Sequence, residues 1–161
     1  MQMKRVWILM LAVVWMMIGS GCGTAEYRRE EQYASSVRQL VDDAVKYTRI
    51  LQEKDQKFQC YDSVSVKEYL TTLDKLGGIY QKLLVLQPSD IFDEGDRDLK
   101  DNVGQVLSVT SEIRSHVQYA ADNADDTLFK KEKKELFEQY QAFYEGVTYS
   151  SQYIQTLWRN A

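Results

Sequence analysis

The chain has 161 residues, with 20 Lys and Arg against 24 Asp and Glu and a net charge of −4. That length suits one domain with a real hydrophobic core, and the acidic balance, with basic residues interspersed and no polybasic run to track a phosphate backbone, argues against nucleic acid as a partner. A single histidine and two cysteines leave no paired Glu-x-x-His ligands for a di-iron bundle and no multi-cysteine metal site.

The first element is a leader. Lys4 and Arg5 make a positive start, Val6 to Ile18 form an apolar run of 13 residues, and Gly19, Ser20 and Gly21 are small residues leading to Cys22. A membrane span needs roughly 20 apolar residues, so the pattern predicts a cleaved export signal over residues 1–21 and a single mature domain over residues 22–161. An ordinary secretory signal with an incidental cysteine, or an uncleaved anchor, is the alternative.

Gly19-Ser20-Gly21-Cys22 resembles the lipobox of bacterial lipoprotein precursors, with Gly19 where that family usually carries leucine and Ile18 one place earlier. The resemblance covers the leader alone. It implies that the Cys22 sulfur takes a diacylglycerol, that the leader is cut immediately before Cys22, and that the mature protein is lipid-anchored at the extracytoplasmic face of a bacterial cell membrane. Each buried CH₂ of an acyl chain contributes about 0.8 kcal/mol, and two or more chains give stable attachment where one does not. Cleavage at this point removes all five methionines together with Trp7 and Trp15, leaving Trp158 as the sole tryptophan and excluding methionine ligation of copper or haem. It also removes Lys4 and Arg5, so 18 basic residues then face 24 acidic ones, a mature net charge of −6.

From Thr24 onward apolar residues recur at three- and four-residue spacings, which predicts helix almost throughout. The first helix runs from about Ala25 to Phe58, with Tyr33, Val37, Leu40, Val41, Ala44, Thr48 and Leu51 on one face. The second begins at Ser65, expected to cap it with Glu68 reaching back, and buries Val66, Leu70, Leu73, Leu76, Tyr80 and Leu84 before Pro88 ends it. Gly77 and Gly78 interrupt its pattern, as a close helix crossing or a hinge. The third runs from about Asp98 to Ala121, with Leu99, Val103, Val106, Leu107, Thr110, Ile113, Val117 and Ala121 inward. After a polar turn at Asp122–Asp126, the fourth continues to about Arg159 and carries Phe129, Leu136, Tyr140, Phe143, Val147, Ile154 and Trp158.

Four such helices joined by short polar turns predict an all-α fold, an antiparallel up-down-up-down four-helix bundle with long first and last helices. The 4-3-4 spacing of Tyr33, Val37, Leu40 and Ala44, and of Leu136, Tyr140, Phe143 and Val147, points to coiled-coil-like packing between those two helices. Only Gly23 and Thr24 separate Cys22 from the bundle, so its base is expected close to the lipid headgroups.

No catalytic constellation emerges: the chain lacks a Gly-x-Ser-x-Gly elbow, a P-loop, a dinucleotide fingerprint and a haem-attachment motif, so no enzyme activity and no cofactor are expected. His116 falls on the outer face of the third helix with Glu112 four residues before it, which reads as a solvated histidine. The segment Asp90–Asp101 has the flavour of a calcium loop. Aligning Gly95 with the sixth loop position puts Asp90, Glu94, Asp98 and Asp101 at ligand places, but Phe92 occupies another and Asp replaces the bidentate Glu. Acidic residues are equally expected at a helix start, and no metal is assigned. Cys60, left without a partner if Cys22 is acylated, reads as a semi-buried thiol, with an intermolecular disulfide or redox role as the alternative.

Tyr149 and Tyr153 lie four residues apart, away from the apolar stripe of the fourth helix, and are expected to be exposed. Exposed aromatics among polar residues suit a protein interface, so these two form the candidate partner surface. The expected function is a membrane-anchored, non-catalytic interaction or scaffold module of the bacterial envelope with a protein partner. The alternative is a ligand-sensing or substrate-binding bundle with a pocket among Thr48, Tyr80, Thr110 and Tyr140.

Overall fold

The computed structural model describes residues 25–161; the export signal expected over residues 1–21 and the lipidation expected at Cys22 fall outside the described residues. Its elements are α1 (Gln2–Asp55, described from Ala25 onward), α2 (Ser63–Val85), a 3-10 turn (Asp90–Phe92), α3 (Asp93–Asn123) and α4 (Thr127–Asn160). The helices form an antiparallel four-helix bundle, as the apolar periodicity predicts. Each packs on its neighbours in the chain and α4 returns to α1. The antiparallel course is fixed by side chains at both ends. Gln155 Nε2 of late α4 donates to the Ala34 carbonyl of early α1 at 2.7 Å, while Lys133 of early α4 meets Asp55 at the end of α1 at 2.7 Å.

The stripes read from the sequence make the core. Val37, Ala44, Leu51, Leu73, Leu76, Leu99, Val103, Val106, Ile113, Val117, Leu136, Val147 and Ile154 are buried and mutually packed. Leu40, Leu70, Leu84, Leu107, Phe143 and Trp158 are only partly covered, because they stand at the edges of their stripes. Tyr69, Ile79 and Leu83 are buried as well, which widens the apolar face of α2 beyond its single expected row.

Three local expectations are corrected. α2 starts at Ser63, and its cap is Asp62, whose carboxylate accepts from the Val64 N–H at 3.0 Å. Asp is as good a cap as Ser, and using it one turn earlier buys an extra turn of helix. Ser65 instead accepts from the Gln59 N–H at 3.2 Å, and Glu68 pairs with Lys54 of α1 at 2.6 Å. The second correction concerns α3, which begins five residues before Asp98. Asp93, Glu94 and Asp96 fill its first turn, where negative charge complements the exposed N–H groups.

The third concerns the seam between α1 and α4, which is the least extensive of the four; α4 lies mainly against α3. Small residues explain this. A Cβ added at Gly146 of α4 would collide with the Asn102 side chain of α3, and one at Gly95 of α3 would sit 3.0 Å from Ile154 and 3.1 Å from Tyr153. Glycine at these places lets α3 and α4 approach, whereas the α1–α4 seam carries Leu51, Phe137, Lys134 and Gln141 around an open groove. Gly77 and Gly78 sit inside unbroken helix, and a Cβ there would find ordinary contact with Leu107 or open space, so neither is a forced crossing.

The turn between α3 and α4 opens on Ala124 in the left-handed region, with φ 50° and ψ 33°. Its N–H closes the helix on the carbonyls of Ala120 and Ala121. An L-residue is disfavoured here by about 1–2 kcal/mol, so the closure of α3 is achieved against local strain.

Candidate functional site

Three polar relays run through the bundle, one at each end and one in the middle. At the end where α1 enters the bundle, the Tyr33 hydroxyl crosses to α3 and donates to Asp96 Oδ1 at 2.6 Å, while Lys100 one turn along α3 holds Oδ2 at 2.8 Å. Phe92 stacks on Tyr33 with ring centroids 5.0 Å apart. At the opposite end Tyr69 of α2 donates to Asp55 Oδ1 at 3.0 Å, and Lys133 of α4 takes Oδ2. Phe58 and Phe129 pack edge-on around the Tyr69 ring.

Burial pushes both phenols far above the usual tyrosine range. The acceptor carboxylates, Asp96 for Tyr33 and Asp55 for Tyr69, push the same way, since a second negative charge beside each would be repelled. The sequence carries a signal for both aspartates. Asp96 stands three residues before Leu99 and Asp55 four after Leu51, charges placed on apolar stripes.

The middle relay joins three helices. Thr48 Oγ1 of α1 lies 2.6 Å from Tyr140 Oη of α4, which lies 2.8 Å from Tyr80 Oη of α2. Desolvation raises Tyr80 strongly and brings Tyr140 to about 12, the latter restrained by the hydrogen bonds from Thr48 and Tyr80. Three of the four expected pocket residues therefore meet, but they bond to one another. The fourth, Thr110, returns its hydroxyl to the Val106 carbonyl of its own helix at 2.7 Å. Among the described residues no buried side-chain polar atom is left without a partner. Outside this relay a groove of about 300 Å³ opens between α1 and α4, lined by Leu51, Phe137, Thr48 and Tyr140.

Tyr149 is 73% exposed and Tyr153 is 37% exposed. The two differ in what lies behind them: Tyr153 lays its ring over Gly95 at the start of α3, while Tyr149 stands free one turn earlier. Gly95 thus provides a flat seat for an aromatic ring that is covered on one face and open on the other.

His116 is half-buried, a correction to the solvated reading. Its Nδ1 lies 2.9 Å from the Glu112 carbonyl and its Nε2 lies 2.9 Å from Glu132 Oε2 of α4. The ring thus ties α3 to α4, and its side-chain partner comes from the neighbouring helix. Cys60 is a free thiol, buried beside the Asp62 cap.

The calcium-loop reading of Asp90–Asp101 is overturned by the backbone: it is a 3-10 turn followed by α-helix. A helical Gly95 cannot make the sharp loop that wraps a calcium ion. Asp90, Glu94, Asp98 and Asp101 are exposed, and Asp96 is engaged by Tyr33 and Lys100. Among the described residues no group of three or more His, Cys, Asp or Glu side chains is gathered as a metal site, and no helix is long and apolar enough to cross a membrane. No family model, curated protein or solved structure matches this chain.

Proposed function

We propose that this chain is a lipid-anchored, non-catalytic interaction module of a bacterial envelope, held at the extracytoplasmic face of the cell membrane by acyl chains on Cys22. The observation that carries this reading is the leader, a basic start and short apolar run ending at Gly19-Ser20-Gly21-Cys22. The filled core supports the non-catalytic part. Among the described residues its hydroxyls on Thr48, Tyr80 and Tyr140 are spent on one another rather than turned toward a cleft. A protein partner is read onto the helix face of Tyr149 and Tyr153, where an exposed ring stands beside one seated on glycine.

Mass spectrometry of the mature N-terminus tests the anchor: an acylated Cys22 is expected, and an unmodified Cys22 or a retained leader rejects it. Recovery of a partner from membranes tests the surface. Changing Tyr149→Ser and Tyr153→Ser together should abolish recovery, and unchanged recovery rejects this face.

A second reading, a ligand-sensing bundle, is favoured by the apolar groove over Thr48 and Tyr140. Anilinonaphthalene sulfonate is a direct probe of it. An emission rise with native protein that Phe137→Gln removes supports the groove as a site, and no rise counts against it.

A further inference from the structure

At the end of the bundle where α1 enters lies an aromatic pair with one exposed and one partly buried ring. Tyr27 of α1 and Trp158 of α4 meet with ring centroids 4.7 Å apart and planes tilted by 49°. Tyr27 remains 56% exposed, and Trp158 is only partly covered. Ile91, in the 3-10 turn at the same end, is exposed as well. The bundle itself thus leaves the Tyr27 ring and the Ile91 side chain largely in water at this end.

We infer that the Tyr27–Trp158 pair is a membrane-interface contact that seats this end of the bundle in the headgroup layer, an inference that rests on the proposed anchoring at Cys22. Chain length supplies the first argument. Four residues separate Cys22 from Tyr27, and the five steps of chain between them span at most about 18 Å even fully extended, so the pair is confined near the bilayer surface. Chemistry supplies the second. Tyr and Trp place an apolar ring body among acyl chains and glycerol while keeping a hydroxyl or indole N–H in contact with headgroups and water, and both are enriched at this depth.

Charge decides the lipid class. Arg28, Arg29 and Arg159 are exposed around the pair, and so are Glu26 and Glu31. The mixed signs suit zwitterionic headgroups rather than an anionic surface, which the mature charge of −6 repels. Tyr27 and Trp158 come from opposite ends of the described chain, so insertion of the pair also clamps α1 to α4 at their less tightly packed seam.

The full chain carrying Trp7→Phe and Trp15→Phe has Trp158 as its sole tryptophan whether or not the leader is cut. Made in bacterial cells and reconstituted in phosphatidylcholine vesicles, it should float with the vesicles. Its emission should be at least about twofold weaker when the acyl chains are brominated near their headgroup ends, as an indole at interface depth requires. Flotation with equal emission in brominated and plain vesicles overturns the inference and leaves the anchor standing. Failure to float overturns both. Flotation with emission unaffected by bromine yet shielded from acrylamide assigns the pair to a protein contact and likewise overturns the inference.

Discussion

The two ends of the bundle solve one problem, a buried tyrosine hydroxyl, with the same three residue types in different arrangements. At the α1 entry end Asp96 and Lys100 sit one turn apart on α3, and Tyr33 joins a pair that its own helix already holds. At the far end Asp55, Tyr69 and Lys133 come from three helices, so the relay exists only once α1, α2 and α4 are assembled. The helix dipole sharpens the contrast. Asp96 lies in the first turn of α3, where negative charge is favoured, and Asp55 is the last residue of α1, where it is disfavoured. One relay is thus supported locally and the other by tertiary contacts.

The largest expected effect falls on both ends together. Tyr33, Tyr69 and Tyr80 hold their protons far above the ordinary tyrosine range, and Tyr140 up to about 12. In unfolded chains these phenols ionise near 10, so above that pH the unfolded state has lost protons that the folded state keeps. Their stabilising contribution is complete below about pH 10 and falls by about 1.4 kcal/mol per pH unit for each tyrosine as pH rises toward the folded values. Urea midpoints between pH 8 and pH 12 should drop steeply past pH 10. Tyr33→Phe and Tyr69→Phe should each flatten the slope by about one proton, and a flat profile would sink the relays.

Next in size is removal of the carboxylates. The Asp96 side chain is 9% exposed and that of Asp55 is 14% exposed. Asp96→Ala leaves the buried Tyr33 hydroxyl without its acceptor and discards a dipole-favoured charge, at a cost of about 3 kcal/mol. Asp55→Ala strands Tyr69 similarly but relieves an ill-placed charge, so it should cost less, about 1–2 kcal/mol. Equal losses in denaturant unfolding would erase the distinction between the two ends.

The smallest effects concern single methyl groups, with opposite signs at the two ends. Ala124→Gly relieves a left-handed alanine in the α3–α4 turn and should stabilise by about 1 kcal/mol in thermal unfolding. Gly95→Ala at the other end presses on Ile154 and on the seated ring of Tyr153 and should destabilise by about 1 kcal/mol. A neutral Gly95→Ala would show that the Tyr153 ring yields freely, leaving its seat of no consequence.

What was legible in the sequence was whatever repeats at helical period. Val37, Ala44 and Leu51, or Val103, Val106, Ile113 and Val117, declare their burial by spacing, and with short polar turns they suffice for a four-helix bundle. The exposure of Tyr149 followed from the same geometry. The start of α3 was not legible, because residues 93–98 carry no apolar side chain and Gly95 is buried only through Ile154 and Tyr153, nearly sixty residues away. The burial of His116 is hidden in the sequence for a related reason: its own helix offers Glu112, while the side chain that engages it, Glu132, belongs to α4.

The sequence by itself determined the helices and their inward faces, because these depend on periodicity and propensity along a local stretch. Only the tertiary structure decided that α4 lies chiefly against α3, that the core hydroxyls of Thr48, Tyr80 and Tyr140 satisfy one another, and that Tyr27 meets Trp158. Those outcomes depend on how closely two backbones approach and on which distant polar atom is within about 3 Å. A glycine such as Gly146 sets the first, and the packing of all four helices sets the second.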